Sequence, residues 1–461
     1  MAKLFGTDGM RGEAGRFPLD ATTVCITGRS LAHQLGASLA DSIERAPRIL
    51  TGRDTRESGA WIEHAFIKGA REAGAEVESA GVITTPGVAY LARTMPADAG
   101  VVISASHNPY QDNGIKIFAP SGRKLDDATE RLIEADIEAE KVGNLNDADQ
   151  ADAVEVVGEA EALQAARLRE QYLNYLVEVV ADKLTLEGLS LVVDCANGAS
   201  FELAPALFKR LGARVTVINN TPDGRNINLN CGSLHIEDLR QKVEDERADL
   251  GVAFDGDADR ALFVDARGRF IDGDATLWVM AQYLNERGRL AGHMVVATVM
   301  SNIGLELAMR SKGLQLLRTD VGDKYVLEEL LRTGAALGGE QSGHIIFPRL
   351  SLAGDGLITT LCLLRAMREN GASLDELTRG FTRYPQVLVN VRVREKLPFD
   401  EVETINRAAR ETEGWLGAKG RLLLRYSGTE SLARVMIEGE QQGLIEQYAN
   451  NLASVIKAAI G

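Results

Sequence analysis

Three times along the chain a short β-branched run breaks into a polar turn and passes into a helical pattern, at residues 48–56, 191–198 and 294–301. Strand–turn–helix succession specifies α/β layering, since each element must bury one face against the next. The three units lie about a hundred residues or more apart, within the usual range for a domain. They share little sequence identity, so what recurs is a pattern. Beyond about Tyr384 the pattern changes. Val387, Val389, Val391 and Val393 alternate as in a strand, a helix is expected over 399–411, and two strands (421–425, 433–438) precede a last helix. The ending is α+β. A chain of 461 residues is too long for one core, and about one domain per 150 residues gives three or four.

Two polar stretches stand out against that frame. Val101, Val102 and Ile103 form an apolar run bounded by Gly100, and it breaks into Ser104-Ala105-Ser106-His107-Asn108-Pro109. Pro109 forbids a continuing central strand and biases Asn108 away from helix. Asp112-Asn113-Gly114 reads as a turn, and Ile115, Ile117 and Phe118 as a strand around Lys116. Two hydroxyls, an imidazole and an ammonium thus sit on a loop between strands, where catalytic groups are commonly placed. A plain polar hairpin is the alternative. The second stretch follows the strand-like residues 248–254 and reads Asp255-Gly256-Asp257-Ala258-Asp259-Arg260. Closely spaced carboxylates resist ionisation unless a cation sits among them, and oxygen-only ligands suit Mg²⁺. A solvated acidic loop is the bland reading. A calcium EF-hand loop is excluded, because no glutamate stands where its closing ligand belongs.

The serine and aspartate motifs, with Gly339-Glu340-Gln341-Ser342-Gly343-His344 and Arg425-Tyr426-Ser427-Gly428-Thr429-Glu430, stand in the order found in the α-D-phosphohexomutases. The chain resembles that family over essentially its whole length. Its opening, residues 3–12, and Gln341 resemble the phosphoglucosamine mutase branch. The resemblance implies three related α/β domains (1–158, 159–258, 259–375) and an α+β domain (376–461) around a central cleft. It implies interconversion of glucosamine 6-phosphate and glucosamine 1-phosphate through a phosphoserine and a 1,6-bisphosphate, feeding UDP-N-acetylglucosamine and cell-wall precursor synthesis. Phosphomannomutase or phosphoglucomutase activity is the alternative within the family.

The same resemblance assigns roles. Ser106 is the phosphoryl carrier, a serine being a poor nucleophile unless activated or already phosphorylated. Asp255, Asp257 and Asp259 with a phosphoserine oxygen hold one Mg²⁺. Lys116 is the acid/base candidate, placed to have its pKa lowered by charge and burial, with His344 as a second and Arg11 as a phosphate or hydroxyl contact. Ser104, His107 and Asn108 support the serine loop, and Arg260 balances the aspartates. Glu340 and Ser342 grip the sugar, while Arg425, Ser427, Gly428, Thr429 and Arg434 hold the non-reacting phosphate. Ser431 stands where the family commonly has proline. A sugar 1,6-bisphosphate serves as activator and intermediate.

A formal net charge of -15 argues against a nucleic-acid partner, though a cleft can still concentrate a few cations for a phosphosugar. The four cysteines are scattered and read as reduced thiols. The opening residues lack the apolar region of a signal peptide, and no run is long enough to span a bilayer. The expectation is a cytoplasmic enzyme with no membrane partner, and a homodimer is compatible with it. A metal-dependent phosphatase needs no second phosphate grip, and a sugar-phosphate sensor needs neither Ser106 nor the aspartates.

Overall fold

The computed structural model describes residues 3–6, 8–40, 45–143, 158–427 and 430–461. They form four sheets. The first has six strands. Arg48–Arg53 runs parallel to both Glu76–Val82 and Ala99–Ile103, and Asp112–Phe118 returns antiparallel to pair with Gly9–Glu13. Val101 and Ile103 pack on one face with Ile62, Phe66 and Ile133, whereas Val102 packs on the other with Val88 and Leu91. Burial on both faces is why this strand reads as a continuous apolar run.

Asp112-Asn113-Gly114, expected as a turn, lies inside a strand. The glycine-rich opening is its antiparallel partner, with Arg11 opposite Gly114 and Gly12 opposite Asn113. Gly114 is needed by close approach: a Cβ there would lie 2.7 Å from the Ser104 carbonyl oxygen. A turn-type composition here serves strand packing.

The second sheet places Ser190–Asp194 between parallel Arg214–Ile218 and Leu250–Phe254, and continues antiparallel through Ala261–Asp265 and Phe270–Ile271. It therefore runs past residue 258, because the 261–271 hairpin pairs back onto the strand that delivers the aspartates. The third sheet orders Gln315–Thr319, Met294–Thr298, Gly338–Gly339 and Ile345–Ile346. Residues of all three units, among them Leu50, Leu191, Phe254, Trp278 and Leu361, share one apolar core. The C-terminal sheet is antiparallel, with Leu432–Glu438 central, and packs a core of its own against Gln442–Ile460.

That last unit is joined to the third through buried polar bonds. Glu438 accepts from Asn302 Nδ2 (3.1 Å) and the Ile303 amide (3.1 Å), and Arg421, paired with Glu438 in its own unit (2.8 Å), donates to the Ser301 carbonyl (3.0 Å). The second unit opens with helix Glu159–Asn174, followed by a π-helical turn, Tyr175–Val180. Among the described residues no helix is long and apolar enough to cross a membrane.

Candidate active site

Three of the four motifs begin at strand ends. Ser104 follows Ala99–Ile103, Asp255 follows Leu250–Phe254, and Glu340 follows Gly338–Gly339. Carboxyl ends of strands in open α/β sheets are where ligands bind, because the loops there converge.

Ser106 is buried and sits at a left-handed φ of 52°. Its hydroxyl donates to Asp255 Oδ2 at 2.5 Å, and its amide donates to Ser104 Oγ at 2.9 Å. Ser104 Oγ in turn donates to Asp54 Oδ2 at 2.6 Å. The loop's carbonyls are pinned as well. The buried Arg56 pairs with Asp54 (2.9 Å) and donates to the carbonyls of Ser106 (3.0 Å), Asn108 (2.8 Å) and Pro109. From the second unit, Asn228 Nδ2 donates to those of Ser106 (2.9 Å) and Asn108 (3.1 Å). Asn108 Nδ2 closes the loop onto Asp112 at 2.9 Å. His107 Nδ1 lies 3.3 Å from Ser106 Oγ. Burial and the nearby Arg260 and Arg11 push its pKa down to about 4, so the ring is neutral near pH 7.

Asp255, Asp257 and Asp259 each offer an oxygen within 4.8 Å of the others, and all three are buried. Burial and the two neighbouring carboxylates hold Asp255 well above the usual carboxylate range. Asp259 is pushed up by burial, but Lys116, His344 and Arg260 outweigh that and hold it well below. Asp257 Oδ1 and Asp259 Oδ1 are buried with no hydrogen-bond partner. Orphaned carboxylate oxygens crowded against further buried carboxylates are what a divalent cation would relieve, so the triad fits an oxygen-liganded metal.

Lys116 Nζ reaches Asp257 at 2.9 Å, Asp8 at 3.4 Å and Asp259 at 3.5 Å. Burial favours the neutral amine, yet the three carboxylates outweigh it and raise the pKa. The lowered pKa expected from burial is thus reversed by charge. Asp257 also accepts from Thr85 Oγ1 at 2.6 Å. His344 approaches Asp259 (3.7 Å) and Asp323 (3.8 Å). Burial lowers its pKa, but Asp259, Asp323 and Glu340 together raise it to about 9. Arg11 pairs with Asp8, and its Nε, like that of Arg260, is buried without a hydrogen-bond partner, although Arg260 Nε lies 3.8 Å from Asp259 Oδ1. Lys124 bridges Asp8 (2.9 Å) and Asp323 (2.7 Å) across the first and third units. Asp8, Lys116, Lys124, Asp259, Asp323 and His344 line one cavity of about 390 Å³.

Glu340 accepts from the Gly322 amide (3.1 Å) and the Ser342 hydroxyl (3.3 Å). Gln341 Nε2 turns to Asp272 Oδ2 at 3.3 Å, the carboxylate that caps helix Gly273–Glu286. In the last unit Arg425 and Arg434 stand directly opposite across two antiparallel strands. Burial and that like charge lower the pKa of Arg425, and Arg434 Nε is buried without a partner. Arg434 Nη2 donates weakly to Ser427 Oγ at 3.5 Å. Paired arginines around a hydroxyl suit an anion. Among the described residues, the hydrogen bonds and ion pairs given for Ser427 and Arg434 lie within this unit. Gly428 and Thr429 lie outside the described residues.

Comparison with known proteins settles the family. Residues 2–143, 170–268 and 272–384 match the phosphoglucomutase/phosphomannomutase alpha/beta/alpha domains I, II and III, and 388–455 match the C-terminal domain. The chain is 50% identical to the phosphoglucosamine mutase of Solibacter usitatus over 462 residues, covering 100% of both. It is 46% identical to that of Koribacter versatilis, over 100% of this chain and 97% of the relative. The chain belongs to the phosphohexomutases, in the phosphoglucosamine mutase family. Its fold is similar to a phosphoglucomutase/phosphomannomutase family protein from Burkholderia thailandensis (TM-score 0.78, 25% identity, 99% of this chain and 97% of the other). It is also similar to the Aspergillus fumigatus N-acetylphosphoglucosamine mutase solved with GlcNAc-6P and magnesium (TM-score 0.66, 19% identity, 99% and 96% covered).

Several groups of this phosphohexomutase carry no sequence signal of their own. Asp54 and Arg56 share one loop, while Asn228, Thr85, Lys124 and Asp323 come from other segments, and they reach the site only in the fold. A buried arginine with three carbonyl partners looks like any arginine after a strand.

Proposed function

We propose that the chain interconverts glucosamine 6-phosphate and glucosamine 1-phosphate, with Ser106 as the phosphoryl carrier and a sugar 1,6-bisphosphate as intermediate and activator. The full-length relatives named phosphoglucosamine mutase support the substrate. The observation that carries the chemistry is Ser106 Oγ, 2.5 Å from Asp255 in a triad of buried carboxylates. Asp255, Asp257 and Asp259 with an oxygen of the phosphorylated serine hold one Mg²⁺. That ion supplies neutralisation of charge on the transferred group, the dominant need in phosphoryl transfer.

Ser106 enters the cycle phosphorylated. The free sugar hydroxyl at position 1 attacks the phosphorus, its O–P bond forms, and the bond from phosphorus to Oγ breaks. Lys116, held cationic by its carboxylates, gives a proton to the departing Oγ and regains one from the attacking hydroxyl. The 1,6-bisphosphate then turns over. Ser106 Oγ attacks the phosphorus at position 6, whose sugar oxygen leaves with a proton, and the serine is phosphorylated again. Glu340 and Ser342 grip sugar hydroxyls, and Arg11, Arg260 and His344 balance charge near the transfer. Arg425, Ser427, Gly428, Thr429 and Arg434 hold the distal phosphate, releasing and re-engaging it between half-reactions.

The test compares turnover of glucosamine, glucose and mannose 6-phosphates, with mass spectrometry of the resting protein. The expected outcome is preference for the amino sugar, phosphate on Ser106, and no isomerisation by Ser106→Ala. Phosphate on Ser104 would refute the carrier assignment. A preference for glucose or mannose phosphate would refute the substrate.

A further inference from the structure

We propose that Asp323 selects the amino sugar by accepting the ammonium at C2 of the substrate, an inference that rests on the glucosamine phosphate reading. A sugar amine is largely cationic near neutral pH, as other aliphatic amines close to electron-withdrawing groups are. Selecting it over a hydroxyl requires a carboxylate that lines the cavity and whose present cationic partners can be displaced.

The carboxylates beside the transferring groups and in the sugar-recognition loop are already committed. Asp255, Asp257 and Asp259 are the cation triad. Asp8 is held by Arg11, Lys116 and Lys124. Glu340 is taken by the Gly322 amide and the Ser342 hydroxyl. Asp323 remains. It follows Gly322 directly, so the bond from that amide to Glu340 ties it to the sugar-recognition loop. It lines the same cavity as Lys116 and His344, and its side chain keeps 22% exposure. The Lys324 amide donates to Oδ1 at 2.9 Å and fixes the carboxylate's direction.

The partner Asp323 holds indicates what it is built to hold. Lys124 Nζ sits 2.7 Å from it, a primary ammonium reaching across from the first unit. The C2 substituent of glucosamine is the same chemical group. Lys124 has a second anchor on Asp8 at 2.9 Å, so it can yield Asp323 to the substrate without losing all compensation. A sugar carrying a hydroxyl at C2 offers no cation to replace it.

The experiment measures kcat/KM for glucosamine 6-phosphate and glucose 6-phosphate in the full chain, the isosteric Asp323→Asn variant and Lys124→Met. In Asp323→Asn the glucosamine value should fall about 10- to 100-fold, the worth of a charged hydrogen bond, while glucose changes less than threefold. In Lys124→Met, with the resident ammonium gone, the ratio of glucosamine to glucose should rise. A ratio in Asp323→Asn within threefold of the parent overturns the proposal. If that variant turns over neither sugar, titration calorimetry of both 6-phosphates reads the same ratio, and an unchanged ratio again overturns it. A parent that itself prefers glucose phosphate refutes the substrate reading instead, so the two failures are told apart.

Discussion

Asn228 gives the sharpest test of how the nucleophile is held. It reaches from the second unit into the serine loop of the first, donating to the Ser106 and Asn108 carbonyls at 2.9 and 3.1 Å. Its own φ is 58°, a conformation asparagine and glycine adopt with little cost but alanine does not. Asn228→Gly therefore removes both hydrogen bonds with little added strain, whereas Asn228→Ala removes them and adds about 1 kcal/mol of strain. Two neutral hydrogen bonds contribute about 1–3 kcal/mol together. Arg56 still donates to the same two carbonyls, which keeps the loss toward the lower end. Since about 1.4 kcal/mol is tenfold in rate, kcat of Asn228→Gly should fall roughly tenfold, with KM little changed. Asn228→Ala should match it in kcat but melt at a lower temperature. Steady-state isomerisation and a thermal melt read both quantities. A kcat for Asn228→Gly within twofold of the parent would show that Arg56 alone positions the loop.

Arg56→Met should destabilise the first unit by about 3–5 kcal/mol, because it leaves Asp54 buried without its cation. Adding Asp54→Asn should recover part of that loss in urea unfolding; a single variant within 1 kcal/mol of the parent would refute the argument. His344 makes the chelated, metal-free protein pH-sensitive. Its folded pKa of about 9 exceeds the ordinary 6.5, so its stabilisation is complete below 6.5 and lost as pH rises through 9. The gap in urea stability between parent and His344→Gln, on the order of 3 kcal/mol at pH 6, should therefore close by pH 10. A gap that widens with pH would contradict it.

The reacting groups are legible in the sequence because they are consecutive. Ser104 to Pro109 and Asp255 to Arg260 each follow an apolar strand, so period and turn chemistry locate both loops. The sheets follow from the same signals, and the last unit's three strands fall close to their expected positions. What holds the loops is not legible. Asn228 and Arg56 act on carbonyls fifty or more positions away, Asn228 from another unit, and no local spacing records that. Lys116 shows the limit for electrostatics: burial is readable from an apolar strand, but the three carboxylates that reverse its effect arrive from two other segments. Asp112 to Gly114 misleads because glycine serves two ends, turning a chain and letting two backbones touch.

Ser106 is held in a conformation that tolerates few side chains, and this narrows which phosphoryl carriers the fold can use. A β-branched residue with positive φ is a steric outlier. Threonine bears the same hydroxyl, yet at φ 52° its extra methyl crowds its own backbone. The usual exchangeability of serine and threonine as phosphate acceptors therefore ends at this position. Any lineage keeping this loop is confined to an unbranched side chain, whatever its sugar.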